Sequence, residues 1–143
     1  MSSTLAYRIG AWSWIVCGAG HTVLDVAMRL SPKPDEERVD AALRAHVFEL
    51  GGIQRTSYEV MQGISLAMGV AIVTVGVLLL FVGRLASSSD RTRPAILIGL
   101  VTSVVMLGLS VALLPSPPIV LLTVASVSFG IALLRGEPIA VPR

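Results

Sequence analysis

The sequence predicts an all-α membrane protein, a four-transmembrane-helix bundle with an amphipathic helix in the first extracytoplasmic link. Three observations predict it. The 143-residue chain is 54% hydrophobic and 14% charged, with a mean hydropathy of +0.81, whereas a soluble domain carries about a quarter charged residues. The charges lie mostly between four apolar runs of 17 residues or more, and about 20 helical residues cross a ~30 Å hydrocarbon core. The runs are continuous rather than alternating, which excludes the strands of a membrane barrel. Residues 1–143 read as a single integral membrane domain.

The first span is Ile9–Met28. Arg8 before it and Gly18-Ala19-Gly20 within it imitate a signal peptide, but the segment is expected to be retained and to span. The link from Ser31 to Tyr58 is long and polar. Pro34-Asp35-Glu36-Glu37 opens a helix there, with proline early and acids near the positive end of the dipole. Gly51-Gly52 reads as its stop. Val39, Leu43, His46 and Leu50 recur between them at helical spacing, so an amphipathic helix over about 35–50 is expected at the interface.

The second span is Val60–Val82. A short basic loop, Arg84 to Pro94 with Ser87-Ser88-Ser89 at its centre, leads to the third span, Ala95–Leu114. Pro115-Ser116-Pro117 makes a tight turn into the fourth, Pro118–Leu134, so the last two helices form a hairpin. Four spans put both termini on one side of the membrane.

Lys and Arg asymmetry sets the orientation. Six basic residues (Arg8, Arg84, Arg91, Arg93, Arg135, Arg143) flank the side of the termini, against five on the other side spread over a link with five acids. Both termini are therefore expected in the cytoplasm of a bacterial cell, with the protein in its inner membrane. The arginines flank apolar segments and are not interleaved with aromatics, which excludes nucleic acid as a partner. Cys17 is the only cysteine, so neither an intrachain disulfide nor a CxxC redox pair is available.

Membrane helices meet along small residues that let backbones approach. Gly69, Gly76 and Gly83 form such a stripe in the second span, Gly99, Ser103 and Ser110 in the third, and Thr123, Ser126 and Gly130 in the fourth. These stripes serve the bundle or a neighbouring subunit, which makes membrane lipids and a homo- or hetero-oligomeric partner the expected associations.

One row of polar residues stands out: Ser13, Cys17, His21 and Asp25 recur every four residues on one face of the first helix. With a rise of ~1.5 Å per residue, His21 lies roughly 18 Å and Asp25 roughly 24 Å from Ile9. Glu59 and Gln62 share a face at the start of the second span, and His46 lies on the apolar face of the link helix. His21, Asp25, His46, Glu59 and Gln62 are therefore the candidate ligand-binding residues. Three uses fit them. They make satisfied polar pairs that fix packing, His21 with Asp25 or Glu59. They handle protons or bind a lipophilic ligand. Two histidines and a carboxylate hold a divalent metal. No catalytic residue, metal or cofactor is assigned by these spacings. Cys17 in apolar surroundings is a poor nucleophile.

FELGGIQRTSYEVMQGISLAMG (Phe48–Gly69), together with GAGHTVLD (Gly18–Asp25), resembles small four-helix bacterial membrane proteins of unassigned activity. The resemblance implies the four-helix architecture with an outer helical link, and no chemistry. Small multidrug transporters carry an acid centrally in the first helix, whereas Asp25 is near its end. The expected function is that of an accessory or interaction subunit, or an oligomer. The alternative is a membrane enzyme or lipophilic-ligand-binding protein with a polar site at the outer end of the bundle.

Overall fold

A computed structural model describes residues 2–31, 34–85, 89–113 and 116–135. Lys33, Ser87, Ser88, Pro115 and Arg143, used above for the loops and the charge asymmetry, lie outside the described residues. The described chain is helical but for one hairpin: α1 (Ser3–Leu30), α2 (Pro34–Ala45), β1 (Val47–Leu50), β2 (Ile53–Thr56), α3 (Ser57–Leu85), α4 (Ser89–Leu113) and α5 (Ser116–Arg135). Among the described residues three helices are long and apolar enough to cross a membrane: Ser57–Leu85, Arg93–Leu113 and Ser116–Arg135. The helices outrun the apolar runs, at both ends in α1, α3 and α5 and at the start in α4, because helix formation stops at caps and not where hydrophobicity stops. Thus α4 begins at Ser89 and carries Pro94 within it, where a loop was expected up to Pro94.

The chain divides into two compact units, residues 1–18 with 72–143, and 19–71. In the first unit, α4 packs along α5, and the core is made by aromatic rings seated on glycines. The Phe129 ring of α5 lies against Gly10 of α1 and Gly99 of α4, where a Cβ would come within 2.8 Å and 3.0 Å of it. Tyr7 meets Phe129 edge-on, with centroids 5.6 Å apart, a preferred geometry for two rings. The Tyr7 ring also covers Gly83, and its hydroxyl donates to the Leu79 carbonyl at 2.7 Å. Gly76 abuts the α1 backbone, 2.9 Å from the Ala11 carbonyl oxygen for a Cβ built there.

The small stripes of α3 and α4 are thus packing surfaces, as the spacing predicts. Gly99 and Ser103 are used in sequence: Trp14 Nε1 donates to Ser103 Oγ at 2.8 Å, and Ser103 donates to the Gly99 carbonyl at 2.6 Å. Ser110, fully buried, has a hydroxyl without a partner among the described residues.

On α5 the expected stripe is not the packed face. Leu122, Ala125, Ser128, Phe129 and Ala132 are buried, while Thr123 is exposed and Ser126 and Gly130 are half-buried. The large ring decides the rotation, because burying Phe129 removes far more apolar surface than burying three small residues does. Thr123 and Ser126 satisfy their hydroxyls on the Ile119 and Leu122 carbonyls of their own helix, both at 2.8 Å.

The second unit corrects the link. The expected helix over about 35–50 ends at Ala45, and 47–50 are a strand paired antiparallel with 53–56. Gly51 and Gly52 have φ of 59° and 82°, the left-handed pair that a two-residue hairpin turn requires. They turn a hairpin rather than stop a helix. Val39 is 59% exposed, His46 lies beyond the helix, and the Leu50 side chain is outside the described residues. The proposed apolar face Val39/Leu43/His46/Leu50 is therefore not a helix face.

Candidate functional site

The hairpin delivers the chain to α3 through a capping box. Thr56 Oγ1 accepts from the Glu59 backbone N–H at 3.1 Å, and a Glu59 carboxylate oxygen accepts from the Thr56 N–H at 2.9 Å. Two donors that a helix start leaves orphaned are satisfied by each other's side chains. Glu59 is exposed and occupied with this work. The Ser57 N–H donates to the His46 carbonyl at 2.9 Å, and His46 Nδ1 stands 2.7 Å from Ser57 Oγ. His46 therefore closes the open end of the hairpin.

His21 and Asp25 do not pair directly. Ser65, on α3, stands between them. His21 Nε2 lies 3.1 Å from Ser65 Oγ and 3.2 Å from the Ser65 carbonyl oxygen. A carbonyl oxygen only accepts, so Nε2 must carry the proton and donate. The Ser65 hydroxyl donates in turn to Asp25 Oδ1 at 3.1 Å, and Arg29 Nη2 donates to Asp25 Oδ2 as an ion pair. Asp25 precedes Arg29 by four residues, the favourable order for a pair on one helix.

This polarity has a chemical consequence. Ser65, His21 and Asp25 are the residue types of a hydrolytic triad, but there the imidazole accepts the serine proton. Here it donates to the serine, which passes its own proton toward aspartate. The imidazole does not stand between serine and aspartate, so the order of a triad is not reproduced, and Ser65 and Arg29 hold Asp25.

Asp25 and Arg29 border a cleft of about 320 Å³. Met28 joins them on the α1 wall, Glu36, Asp40 and Leu43 form the α2 wall, and α3 contributes Tyr58, Met61, Gln62 and Ser65. The Arg44 guanidinium stacks on Tyr58, 3.7 Å from the ring centroid, a cation–π contact.

Of the five candidate residues, Asp25 and Gln62 line the cleft. His21 reaches Asp25 through Ser65, while Glu59 and His46 serve the cap and the hairpin. Neither the His21–Asp25 nor the His21–Glu59 pair forms. Among the described residues no three His, Cys, Asp or Glu side chains converge on a metal position. Cys17 is a buried free thiol.

Ser65 and Arg29 were missed as site residues, and both had a signal. Ser65 follows Gln62 by three on the same helix face, and Arg29 follows Asp25 by four. Comparison with family models, with curated proteins and with solved structures finds no match for this chain.

Proposed function

We propose that this chain is a small four-span protein of a bacterial inner membrane that holds an amphiphilic ligand, a membrane lipid or lipid-like molecule, in the cleft between α1, α2 and α3. The observation that carries the reading is the cleft: its lining joins the Asp25–Arg29 pair, steadied by Ser65, with the apolar side chains of Met28, Leu43 and Met61. A concave site with a few placed polar groups and apolar sides suits a molecule with a head and a tail. Methionine flanks adapt to irregular alkyl shapes.

The fourth span in this reading is α1, whose 28 residues reach about 42 Å at 1.5 Å per residue. Its polar residues make it less apolar than the other three, and several of them have partners within the chain. Ser13 donates to the Ile9 carbonyl, Trp14 to Ser103 and His21 to Ser65, and Asp25 pairs with Arg29. Satisfied polar groups are what a bilayer tolerates. With the termini in the cytoplasm, the cleft belongs to the extracytoplasmic ends of the first two spans.

The accessory-subunit or oligomer reading keeps one supporting observation. A Cβ on Gly130 meets nothing within 4 Å, and Thr123 is exposed on the same stripe, which leaves room for a second helix.

Native mass spectrometry of the protein gently extracted from its own membrane tests both. The ligand reading expects a reproducible amphiphile-sized adduct that disappears in Met61→Arg, a position already 57% exposed and so able to take arginine without core strain. No adduct on the wild-type chain, or an adduct that survives this substitution, refutes it. A heteromeric mass would favour the accessory role.

A further inference from the structure

We infer that the β1–β2 hairpin is a lipid-surface contact, with its Phe48, Ile53 and Arg55 face lying on the phosphate layer of the leaflet at which α3 starts. The inference rests on α3 crossing the membrane, as its length and composition allow, and is independent of the cleft. The register pairs Val47 with Thr56, Phe48 with Arg55 and Glu49 with Gln54. Side chains alternate along a strand, so Phe48, Ile53 and Arg55 share one face and Val47, Glu49, Gln54 and Thr56 the other. The first face is apolar but for a cation, and the second holds the carboxylate. A lipid surface sorts groups in this way: ring and alkyl toward the acyl boundary, guanidinium on the phosphates, carboxylate toward water.

The face is open. Ile53 is 56% exposed and Arg55 is exposed, although α2 meets β2. Phe48 is half-buried, with the His46 ring 5.9 Å away. At the tip a Cβ on Gly51 or Gly52 would meet nothing within 4 Å. Arg55 has no hydrogen bond or ion pair among the described residues. The Glu59 carboxylate that feels its charge is taken by the Thr56 N–H and hydroxyl. The guanidinium donors are left for an acceptor outside the chain, and phosphate matches their fork.

Position selects the occupant. β2 ends at Thr56 and α3 begins at Ser57, with no residue between them. The apolar run of α3 begins at Val60, so Ser57 stands only ~4.5 Å from it along the helix. That is inside a headgroup layer of roughly 5–7 Å on each side of the hydrocarbon. A strand the length of β2 reaches ~13 Å, and lying flat it stays in that layer. A two-stranded hairpin is marginal in water, and this one gains cover by lying flat. It goes no deeper, because the outer edges of the 2-stranded sheet carry backbone groups without a sheet partner. Water and phosphate answer those groups and hydrocarbon does not.

The test uses the full chain in vesicles of phosphatidylcholine and phosphatidylglycerol. Ile53→Cys, Gln54→Cys and Ala71→Cys are made singly in a Cys17→Ala background and carry a nitroxide; all three positions are exposed. Collision with a water-soluble nickel chelate and with oxygen reads the depth of each label. The label at position 53 is expected to meet nickel about threefold less often than that at 54, because an interfacial element buries its apolar face ~5–10 Å into the headgroup boundary. The label at position 71, at the middle of α3, reads hydrocarbon. Arg55→Gln removes the protection at 53 and Arg55→Lys keeps it. Equal nickel access at 53 and 54, or no effect of Arg55→Gln, overturns the inference, while hydrocarbon at 71 keeps the span. Nickel access at 71 removes the span and the inference with it. Dipolar broadening between copies at 53 assigns the face to a second chain and overturns the inference as well.

Discussion

Replacing Gly76 by alanine tests the core where a neighbouring helix backbone lies against a glycine. A Cβ there would lie 2.6 Å from Ile15 Cγ1, 2.9 Å from the Ala11 carbonyl oxygen and 2.9 Å from the Ile15 nitrogen. The Ile15 side chain can rotate away, but two of the three neighbours are α1 backbone. Ordinary contact begins near 3.4 Å, so α1 and α3 must part by about half an ångström, a gap at which dispersion loses a quarter to a half of its depth. If some 40 atom pairs span that contact at about 0.15 kcal/mol each, the loss is about 1.5–3 kcal/mol. Alanine returns up to about 1 kcal/mol of helix propensity, leaving a net destabilisation of about 0.5–2 kcal/mol. Gly130→Ala is the internal control. It meets nothing within 4 Å and keeps only the propensity gain. Reversible unfolding of both variants in mixed micelles of mild detergent and dodecyl sulfate measures the difference. Equal stability of Gly76→Ala and Gly130→Ala would falsify the packing of α1 on Gly76.

Two further substitutions reach the polar contacts. A double-mutant cycle of Trp14→Phe and Ser103→Ala, read by the same unfolding assay, should give a coupling of about 0.6 and at most about 1.7 kcal/mol, the range for hydrogen bonds between membrane helices; zero coupling denies the indole contact. Thr56→Ala should cost about 1 kcal/mol through the lost cap, while Glu59→Gln, which keeps a capping-box residue, should be near neutral and leave the native-spectrum adduct in place. Loss of the adduct in Glu59→Gln with stability intact would return Glu59 to the binding site. His21→Gln, whose amide can still donate to Ser65, should retain the adduct, and His21→Leu should weaken it. Equal loss in both would show that the imidazole does more than donate.

Three of the four expected spans and two of the three small stripes were legible because apolar runs and glycine spacing are local properties of the chain. The rotation of α5 was not, since it depends on where one large ring finds glycines on other helices. Phe129 inside a run of apolar residues gives no hint that Gly10 and Gly99 wait for it. The hairpin had a signal that was outcompeted. Val47-Phe48-Glu49-Leu50 and Ile53-Gln54-Arg55-Thr56 flank two glycines, the pattern of a two-residue turn, but the helical spacing of the residues before it invited a longer helix. Thr56-Ser57-Tyr58-Glu59 likewise carried a capping box before an apolar run. Reading it would have taken Glu59 out of the site. His21 and Asp25 do fall in one polar network, but not through the direct pairing that was expected. Ser65 lies 40 residues away from Asp25 and no spacing rule connects them.

Where the polar chains end separates structure from function. In the first unit Ser3 ends on the Ala132 carbonyl, Tyr7 on that of Leu79, and Trp14 through Ser103 on that of Gly99. Each runs from a side chain to a helix carbonyl and stops there, so it fixes packing and offers nothing outward. The chain from His21 runs through Ser65 to Asp25 and ends on Arg29, a cleft residue with five donors in its guanidinium, of which Nη2 is engaged with Asp25. What it delivers to the cleft is position: an aspartate held from two sides and a guanidinium held by that aspartate. A preorganised charge pair lowers the reorganisation a ligand must cause on binding. That is the property the proposed ligand site needs.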